Sequence, residues 1–350
     1  MDSSLLTWLG IVVAGVLAGS FTLPSKKIRE LSWNQSWLNC LLALSFLPII
    51  LAAVLSPEVL RVIGSAPRSQ VLTVLGFGIL WGVGSRCFSI AITYSGFAVA
   101  NTLVCGIVAC IGSAGPLIMG TGSLKPDEIL PLSLGLGVLC VGIGLCGFAS
   151  HVREAGGGDP TKKGHAVLGI VLCLLAGMFS AMINYAFAAG AGMVTSADRA
   201  GVHPALTTLA VWVPALLGGF LINAGSSLFL MIRAGETARY KTAPASDWLR
   251  GLSMGAIFFL SLMIYGVFSL RLGPSGAVFG WATYMGLSIA TSAVWGFTTS
   301  EWKTAPQRAR RYMMSGVILC VLAFAIFAIG KPDAQRGDTK AAPSVREVEQ

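Results

Sequence analysis

Ten apolar stretches, most of them close to 20 residues long, are the feature of this 350-residue sequence that most constrains its fold. An α-helix needs about 20 mostly apolar residues to cross the hydrocarbon core of a bilayer. Only 11% of the residues are charged, against roughly 25% in soluble domains, so charge cannot cover a surface that faces water. The sequence therefore predicts an all-α integral membrane protein whose ten transmembrane helices lie near residues 5–23, 37–55, 71–93, 97–119, 130–150, 165–190, 205–232, 248–270, 274–298 and 312–330.

The two ends of the chain differ in character. The first apolar stretch follows Asp2 without a basic region before it, so we expect a retained helix rather than a cleaved signal peptide. Residues 331–350 are polar, and we predict a disordered tail there.

The basic residues sit in short loops between the apolar stretches, where they meet lipid headgroups. The loops on one side are much richer in them, which predicts that this side is cytoplasmic and that both termini are outside. The basic residues of the tail argue for the opposite orientation. Because the net charge of +9 forms no continuous face, we expect membrane lipid and not nucleic acid as the partner. The basic side contains Lys26, Lys27, Arg29, Arg153, Lys162, Lys163, Arg233, Arg239, Lys241, Lys303, Arg308, Arg310 and Arg311.

Four short motifs of the first half recur in order in the second half, at offsets of 158, 166, 180 and 180 residues. The pairs are Ala18-Gly19-x-Phe21-Thr22 with Ala176-Gly177-x-Phe179-Ser180, Pro48 with Pro214, Phe88-Ser89…Ser95-Gly96 with Phe268-Ser269…Ser275-Gly276, and Leu139-Cys140-Val141 with Leu319-Cys320-Val321.

This order predicts two five-helix repeats, residues 1–150 and 165–330, joined by a loop at 151–164. Because five spans is an odd number, the second repeat must be inverted in the membrane. Inverted repeats are typical of alternating-access transporters, which bind their substrate near the midplane between the halves.

Neither a metal, a cofactor nor an enzymatic centre is predicted. The eight cysteines lie in apolar stretches without a CxxC pair, and the three histidines lie at segment ends. Gly142-x-Gly144-x-x-Gly147 spells a dinucleotide fingerprint but lies inside an apolar helix, which favours helix packing. Gly273-Pro274-Ser275-Gly276 resembles the motif of intramembrane serine proteases, yet no histidine base lies in a span, so a tight hairpin turn is the better interpretation.

Candidate substrate-binding residues are the polar and aromatic side chains inside the spans. Arg86 is the charged residue placed deepest; an arginine at a helix centre costs about 2.5–3.5 kcal/mol, so it either contacts a cavity or snorkels to the surface. Buried amides either bind sugar hydroxyls or join helices, and aromatic rings either stack on sugars or pack the core. The predicted substrate-binding residues are Arg86, Asn101, Asn184, Tyr185, Trp281 and Tyr284, with Asn223 as a further buried amide.

No aspartate or glutamate lies inside a predicted span. Proton-coupled carriers usually place a carboxylate in the membrane cavity, so this absence argues against proton symport. The nearest acids are at the ends of the spans: Asp127, Glu128, Asp198 and Glu301.

Several motifs together resemble the L-rhamnose–proton symporter family of bacterial inner membranes. They are Pro24-x-Lys26-Lys27, Leu31-Ser32-Trp33, Leu80-Trp81-Gly82-Val83-Gly84, Ala176-Gly177-Met178-Phe179-Ser180, Leu221-Ile222-Asn223 and Glu301-Trp302. The family belongs to the drug/metabolite transporter superfamily, in which ten-helix members are five-plus-five inverted repeats.

The resemblance implies uptake of L-rhamnose or a related deoxy-sugar driven by protons, in the bacterial inner membrane. Two features depart from it: the spans lack a carboxylate, and Arg86 is unexpected at a neutral-sugar site. The alternative is a proton-independent facilitator or exporter of another small metabolite, possibly an anion. A membrane-embedded enzyme and a scaffold without transport activity are the remaining classes.

Overall fold

The computed structural model describes residues 3–95, 97–155, 166–273, 275–299 and 302–330, and all regular structure in these ranges is helical. The α-helices are α1 (Ser3–Ser20), α2 (Trp33–Leu55), α3 (Pro57–Ser65), α4 (Arg68–Ser95), α5 (Phe97–Ile118), α6 (Pro126–Ala155), α7 (Ala166–Ser180), α8 (Met182–Ala189), α9 (Ala191–Arg199), α10 (Leu209–Arg233), α11 (Thr237–Thr242), α12 (Ala245–Arg271), α13 (Gly276–Thr298) and α14 (Gln307–Gly330). The predicted tail, most of the predicted connecting loop, and Glu301 lie outside the described residues.

By length and hydropathy, nine of the described helical segments can cross a bilayer, and α5 contributes a shorter apolar helix, Leu103–Ile118. Large apolar side chains such as Val54, Leu130 and Val167 are 71–77% exposed, as expected where the surface faces lipid. The prediction of an all-helical, multi-pass membrane protein is confirmed. The count of ten transmembrane helices and the inverted repeat stay predictions.

The structure corrects the predicted boundaries at several places. The sixth span, predicted as one helix over 165–190, is divided into α7 and α8 at Ala181. There the backbone N–H of Asn184 donates to the Ala181 carbonyl, three residues earlier, at 3.0 Å. The connection predicted between the second and third spans contains α3, which begins with Pro57 in the first turn, where proline needs no hydrogen bond.

Glycine allows the helices to pack close together at several positions. A Cβ at Gly78 would overlap the backbone of Ala215 on α10, and one at Gly15 would lie 2.7 Å from Leu287 on α13. Gly142 of the fingerprint-like motif lies against α14, where a Cβ would be 3.0 Å from the Gly316 carbonyl oxygen. The packing interpretation of the motif is confirmed at Gly142, whereas a Cβ at Gly144 would meet no atom within 4 Å.

The helices pack in a recurring pattern. Helix α1 packs against α12 and α13, and α7 packs against α4 and α5. Helix α2 contacts α12, while α10 contacts α4; α2 and α10 also contact each other, as do α6 and α14. Elements from both halves of the sequence therefore surround the centre of the molecule.

A polar network ties the connection between α1 and α2 to the start of α12. The buried carboxylate of Asp247 accepts hydrogen bonds from the amides of Arg29 (3.0 Å) and Glu30 (2.9 Å), and from the Arg250 guanidinium (2.7 Å). Nearby, Tyr240 donates to Asn39 Oδ1 at 2.5 Å, and burial raises the pKa of Tyr240 to about 12. The phenol therefore keeps its proton, and this donor, at neutral pH.

Candidate functional site

A group of polar and aromatic side chains is buried where α8, α12 and α13 meet α5. We call Asn184, Ser261, Tyr265, Trp281 and Tyr284 the central cluster. Their exposed fractions lie between 0% and 3%. Buried polar groups in an apolar interior are costly unless they are hydrogen-bonded, so the contacts within the cluster determine what it can do.

Asn184 joins three elements through its amide. Its Nδ2 donates to the Gly112 carbonyl on α5 at 2.8 Å and approaches the Ala277 carbonyl on α13 at 3.4 Å. Its Oδ1 accepts from the Tyr265 hydroxyl on α12 at 2.7 Å. A side chain with both donor and acceptor atoms, held by three helices, matches the alternating donors and acceptors of a sugar's hydroxyl groups.

The aromatic rings of the cluster lie beside this amide. Trp281 and Tyr284 stack with their ring centroids 5.5 Å apart, and Tyr265 meets Trp281 edge to face at 5.4 Å. The Trp281 indole donates to the Val108 carbonyl at 3.0 Å, and the hydroxyls of Tyr284 and Ser261 lie 3.1 Å apart. Rings with a polar atom at the edge offer an apolar face and a hydrogen bond to the same solute.

Several buried polar atoms on the helices that form or contact the cluster have no hydrogen-bond partner among the described residues. They include the indole nitrogen of Trp212 and the hydroxyl of Thr283. Trp212 stacks on Phe187 (5.2 Å), which in turn contacts Tyr265 (5.7 Å). Since such groups are rare in folded proteins, they are available to a solute or water that enters this region.

Of the six predicted residues, the structure brings Asn184, Trp281 and Tyr284 together in the cluster. Tyr185 is buried beside them and packs against α4 and α5: its ring centroid lies 5.7 Å from that of Phe77, and a Cβ at Gly115 would touch its ring. It therefore faces away from Tyr265, towards the neighbouring helices.

Arg86 and Asn101 lie outside the central cluster. Arg86 is half-buried on α4, nine residues beyond Phe77, which corresponds to about 13 Å along a helix. Asn101 is half-buried on α5 and accepts from the Cys105 thiol of its own helix at 3.6 Å, about three turns before Gly112. Among the described residues, no hydrogen bond or ion pair connects either side chain to the cluster.

Tyr265 and Ser261 are cluster members that sequence reasoning missed. They lie four residues apart on α12, and Ser269 continues the same spacing. Polar residues at i, i+4 and i+8 share one face of a helix, so this stripe in an otherwise apolar span was the signal that could have revealed them.

The cluster is closed in this structure. A surface cavity of about 620 Å³ lies beside the start of α14 at Arg310, Arg311 and Met314, and one of about 340 Å³ lies between α9 and the end of α12 at Asp198 and Arg271. Neither is lined by the cluster. Within the described part of the chain, no group of His, Cys, Asp or Glu side chains is arranged to hold a metal ion.

Residues 3–333 match a protein family described as L-rhamnose-proton symport protein (RhaT). The L-rhamnose-proton symporter of Citrobacter koseri is 24% identical over 332 residues, which cover 91% of this chain and 96% of that protein. Those of Pectobacterium atrosepticum and Cronobacter sakazakii are 24% and 26% identical, each over 91% of this chain and 95% of their own length.

A solved crystal structure also resembles this chain. The two superpose with a TM-score of 0.54 at 15% sequence identity, over 94% of this chain and 98% of the other. At that identity the likeness concerns the fold alone, and it extends across nearly the whole chain.

Proposed function

The chain belongs to the L-rhamnose-proton symport protein family, and we propose that it carries L-rhamnose into the cell together with protons. This is a family of transporters and not of enzymes. The multi-pass helical fold is consistent with the inner membrane of a bacterium.

The observation that carries the proposal is the central cluster itself. A neutral sugar needs hydrogen-bond donors and acceptors for its hydroxyls and an apolar face for its C–H groups. Asn184 and Tyr265 offer the first, and Trp281 and Tyr284 offer the second, all within contact of one another. In the closed cluster these groups bond to each other, and we propose that the sugar takes over those bonds when the cluster opens.

We propose that opening follows alternating access between two inverted five-helix repeats. In support of this, the first helix of each proposed repeat packs against the third and fourth transmembrane helices of the other. Helix α1 packs against α12 and α13, and α7 packs against α4 and α5. The contact of α2 with α12 likewise corresponds to that of α10 with α4. Such correspondence is expected if two related bundles enclose a shared site.

Arg86 and Asn101 have a different role in this proposal. Both are half-buried on the side of the cluster towards the end of α4 and the start of α5. We propose that they line the route that the sugar takes from Asn184 in the cluster to the cytoplasm. The family's neutral substrate is then compatible with an arginine, because Arg86 does not belong to the closed cluster.

Uptake by purified protein in liposomes tests the function directly. Labelled L-rhamnose is supplied with and without an imposed inward proton gradient, and empty liposomes serve as the control. We expect accumulation above equilibrium only with the gradient, and competition by unlabelled L-fucose if the site accepts 6-deoxy-hexoses generally. Equilibration without accumulation would identify a facilitator, and the absence of any L-rhamnose flux would reject the substrate.

A further inference from the structure

The buried carboxylate of Glu128 is a group that the proposed sugar site does not use. Glu128 lies in the first turn of α6, at the face opposite the basic loops, and is 5% exposed. Its neighbour Asp127, in the same turn, is exposed. Burial of a carboxyl group disfavours its charged form, so the burial of Glu128 needs a physical explanation.

Helix capping accounts for the hydrogen bond to only one of the two carboxylate oxygens of Glu128. The Lys125 amide donates to Glu128 Oε2 at 3.0 Å, which is the bond that a glutamate at the third helical position commonly makes. The other oxygen, Oε1, reaches another helix and accepts the Ser275 hydroxyl at 3.1 Å. Capping requires neither this second bond nor the burial.

Ser275 connects Glu128 to the central cluster. It immediately precedes α13, and two residues later the Ala277 carbonyl lies 3.4 Å from Asn184 Nδ2 and 3.5 Å from the Tyr265 hydroxyl. Along a helix two residues rise about 3 Å. A change at Glu128 that moves Ser275 therefore also moves an acceptor of the proposed sugar site.

Within the described ranges, the helices packed against α6 carry few charged residues. Helices α5, α13 and α14 pack against α6; the first two contain no acidic, basic or histidine residue, and those of α14 lie at its far end, within Gln307–Arg311. Lys125 and Asp127 flank Glu128 in the chain. Arg271, at the end of α12, stacks on the ring of Phe268 at 4.8 Å.

We propose that Glu128 is the proton-binding residue that couples the proton gradient to sugar movement, an inference that rests on the proposed symport function. The Glu128 carboxylate takes one proton from the outer solution and becomes a neutral carboxylic acid. Neutralisation lowers the cost of keeping the group out of water while the cluster closes around the sugar. When the cluster opens inward, the same proton leaves through the opened cluster to the cytoplasmic solution and the carboxylate re-forms.

Glu128→Gln tests this in liposomes, with Asp127→Asn as the matched control in the same helical turn. Glutamine keeps one acceptor oxygen for the Lys125 amide and can donate from its NH2 group to the Ser275 oxygen, but it cannot exchange a proton. We expect E128Q to lose gradient-driven accumulation at least tenfold while L-rhamnose counterflow stays within about twofold of wild type. D127N should keep both activities. A purely structural cap predicts that E128Q also keeps both.

The outcomes separate this inference from the proposed function. If wild type itself shows no gradient-driven uptake, the symport function fails first. If wild type is coupled, then either full coupling in E128Q or loss of its counterflow would overturn the role of Glu128.

Ser275→Ala provides a second test of the proton-binding role of Glu128. It replaces the first test if E128Q is not recovered as a monodisperse protein. Removing the hydroxyl withdraws a hydrogen bond that stabilises the charged carboxylate. Glu128 should then hold its proton to higher pH, so the pH of half-maximal uptake should rise by at least 0.5 units, an order-of-magnitude expectation for one hydrogen bond. An unchanged pH profile would contradict the proposal.

Discussion

The amide of Asn184 differs in what it bonds from Asn101 and Asn223, the two other candidate amides of the spans. Its donor and acceptor both reach other helices, whereas Asn223 donates to Gly219 of its own helix at 3.2 Å and leaves its oxygen without a partner among the described residues. Asn101 likewise contacts a residue of its own helix. Only an amide shared between helices can respond when those helices separate.

Asn184→Ala should therefore abolish L-rhamnose uptake and lower the free energy of unfolding by about 1–3 kcal/mol, since Tyr265 and Gly112 lose a buried partner. Asn223→Ala, the same substitution at an equally buried position, should retain most of the uptake. Initial uptake rates, normalised to the amount of monodisperse protein, provide the comparison. Equal losses in the two variants would remove the distinction between Asn184 and an ordinary buried amide.

Arg86→Ala should abolish transport while the protein still inserts, because the proposed inward route loses its one deeply placed positive charge. Arg61→Ala is the control, since the Arg61 side chain is 78% exposed and lies in α3. Uptake and membrane insertion are measured separately. If uptake by the Arg86 variant is unchanged, the arginine merely snorkels to the surface.

At the scale of elements, the contact of α5 with α13 determines the shape of the site. Gly112 lies so close to α13 that a Cβ there would overlap the Trp281 indole nitrogen. The same glycine supplies the carbonyl that Asn184 binds. Glycine at this position allows an indole and an amide to approach one turn of α5 together.

Gly112→Ala should displace Trp281 and destabilise the protein by about 1–3 kcal/mol, as overpacking of a filled core does, and uptake should fall with it. Gly106→Ala is the matched control on the same helix, because a Cβ at Gly106 meets no atom within 4 Å. Thermal unfolding in detergent and uptake in liposomes are the two measurements. A fully active Gly112 variant would show that Trp281 need not hold its position.

The loop between α1 and α2 is fixed by Asp247, which accepts two of its amides. Asp247→Ala leaves both amides without this partner, so we expect faster proteolysis of the Lys26–Arg29 segment and a lower melting temperature. Asp198→Ala, an exposed carboxylate at the opposite end of the molecule, should change neither. Limited proteolysis with trypsin checks this, and wild-type cleavage rates in the Asp247 variant would contradict it.

At the scale of the whole molecule, the apolar stretches predicted most helices to within a few residues, because the length of a membrane-crossing helix follows from the bilayer. The division of the sixth span at Ala181 was not predictable from hydropathy, because the sequence is apolar on both sides of the break. Likewise, Trp281 and Tyr284 are recognisable as buried aromatics, but their meeting with Tyr265 depends on how α12 and α13 pack.

The sequence likewise could not single out Glu128 among the acidic residues. In the sequence it belongs to an acidic pair at the end of a span, and nothing distinguishes it from Asp127. Burial and the bond to Ser275, 147 residues away in the chain, separate the two. A contact between residues so far apart in the chain cannot be predicted from the local sequence.

The most direct test of coupled transport is the pH inside liposomes when L-rhamnose is added outside in the absence of any initial gradient. An entrapped pH-sensitive dye records the result, and a sugar that the protein does not bind serves as the control. Symport predicts that the interior becomes more acidic as L-rhamnose enters, with E128Q showing no such change. Entry of labelled L-rhamnose at a constant internal pH would contradict proton-coupled transport.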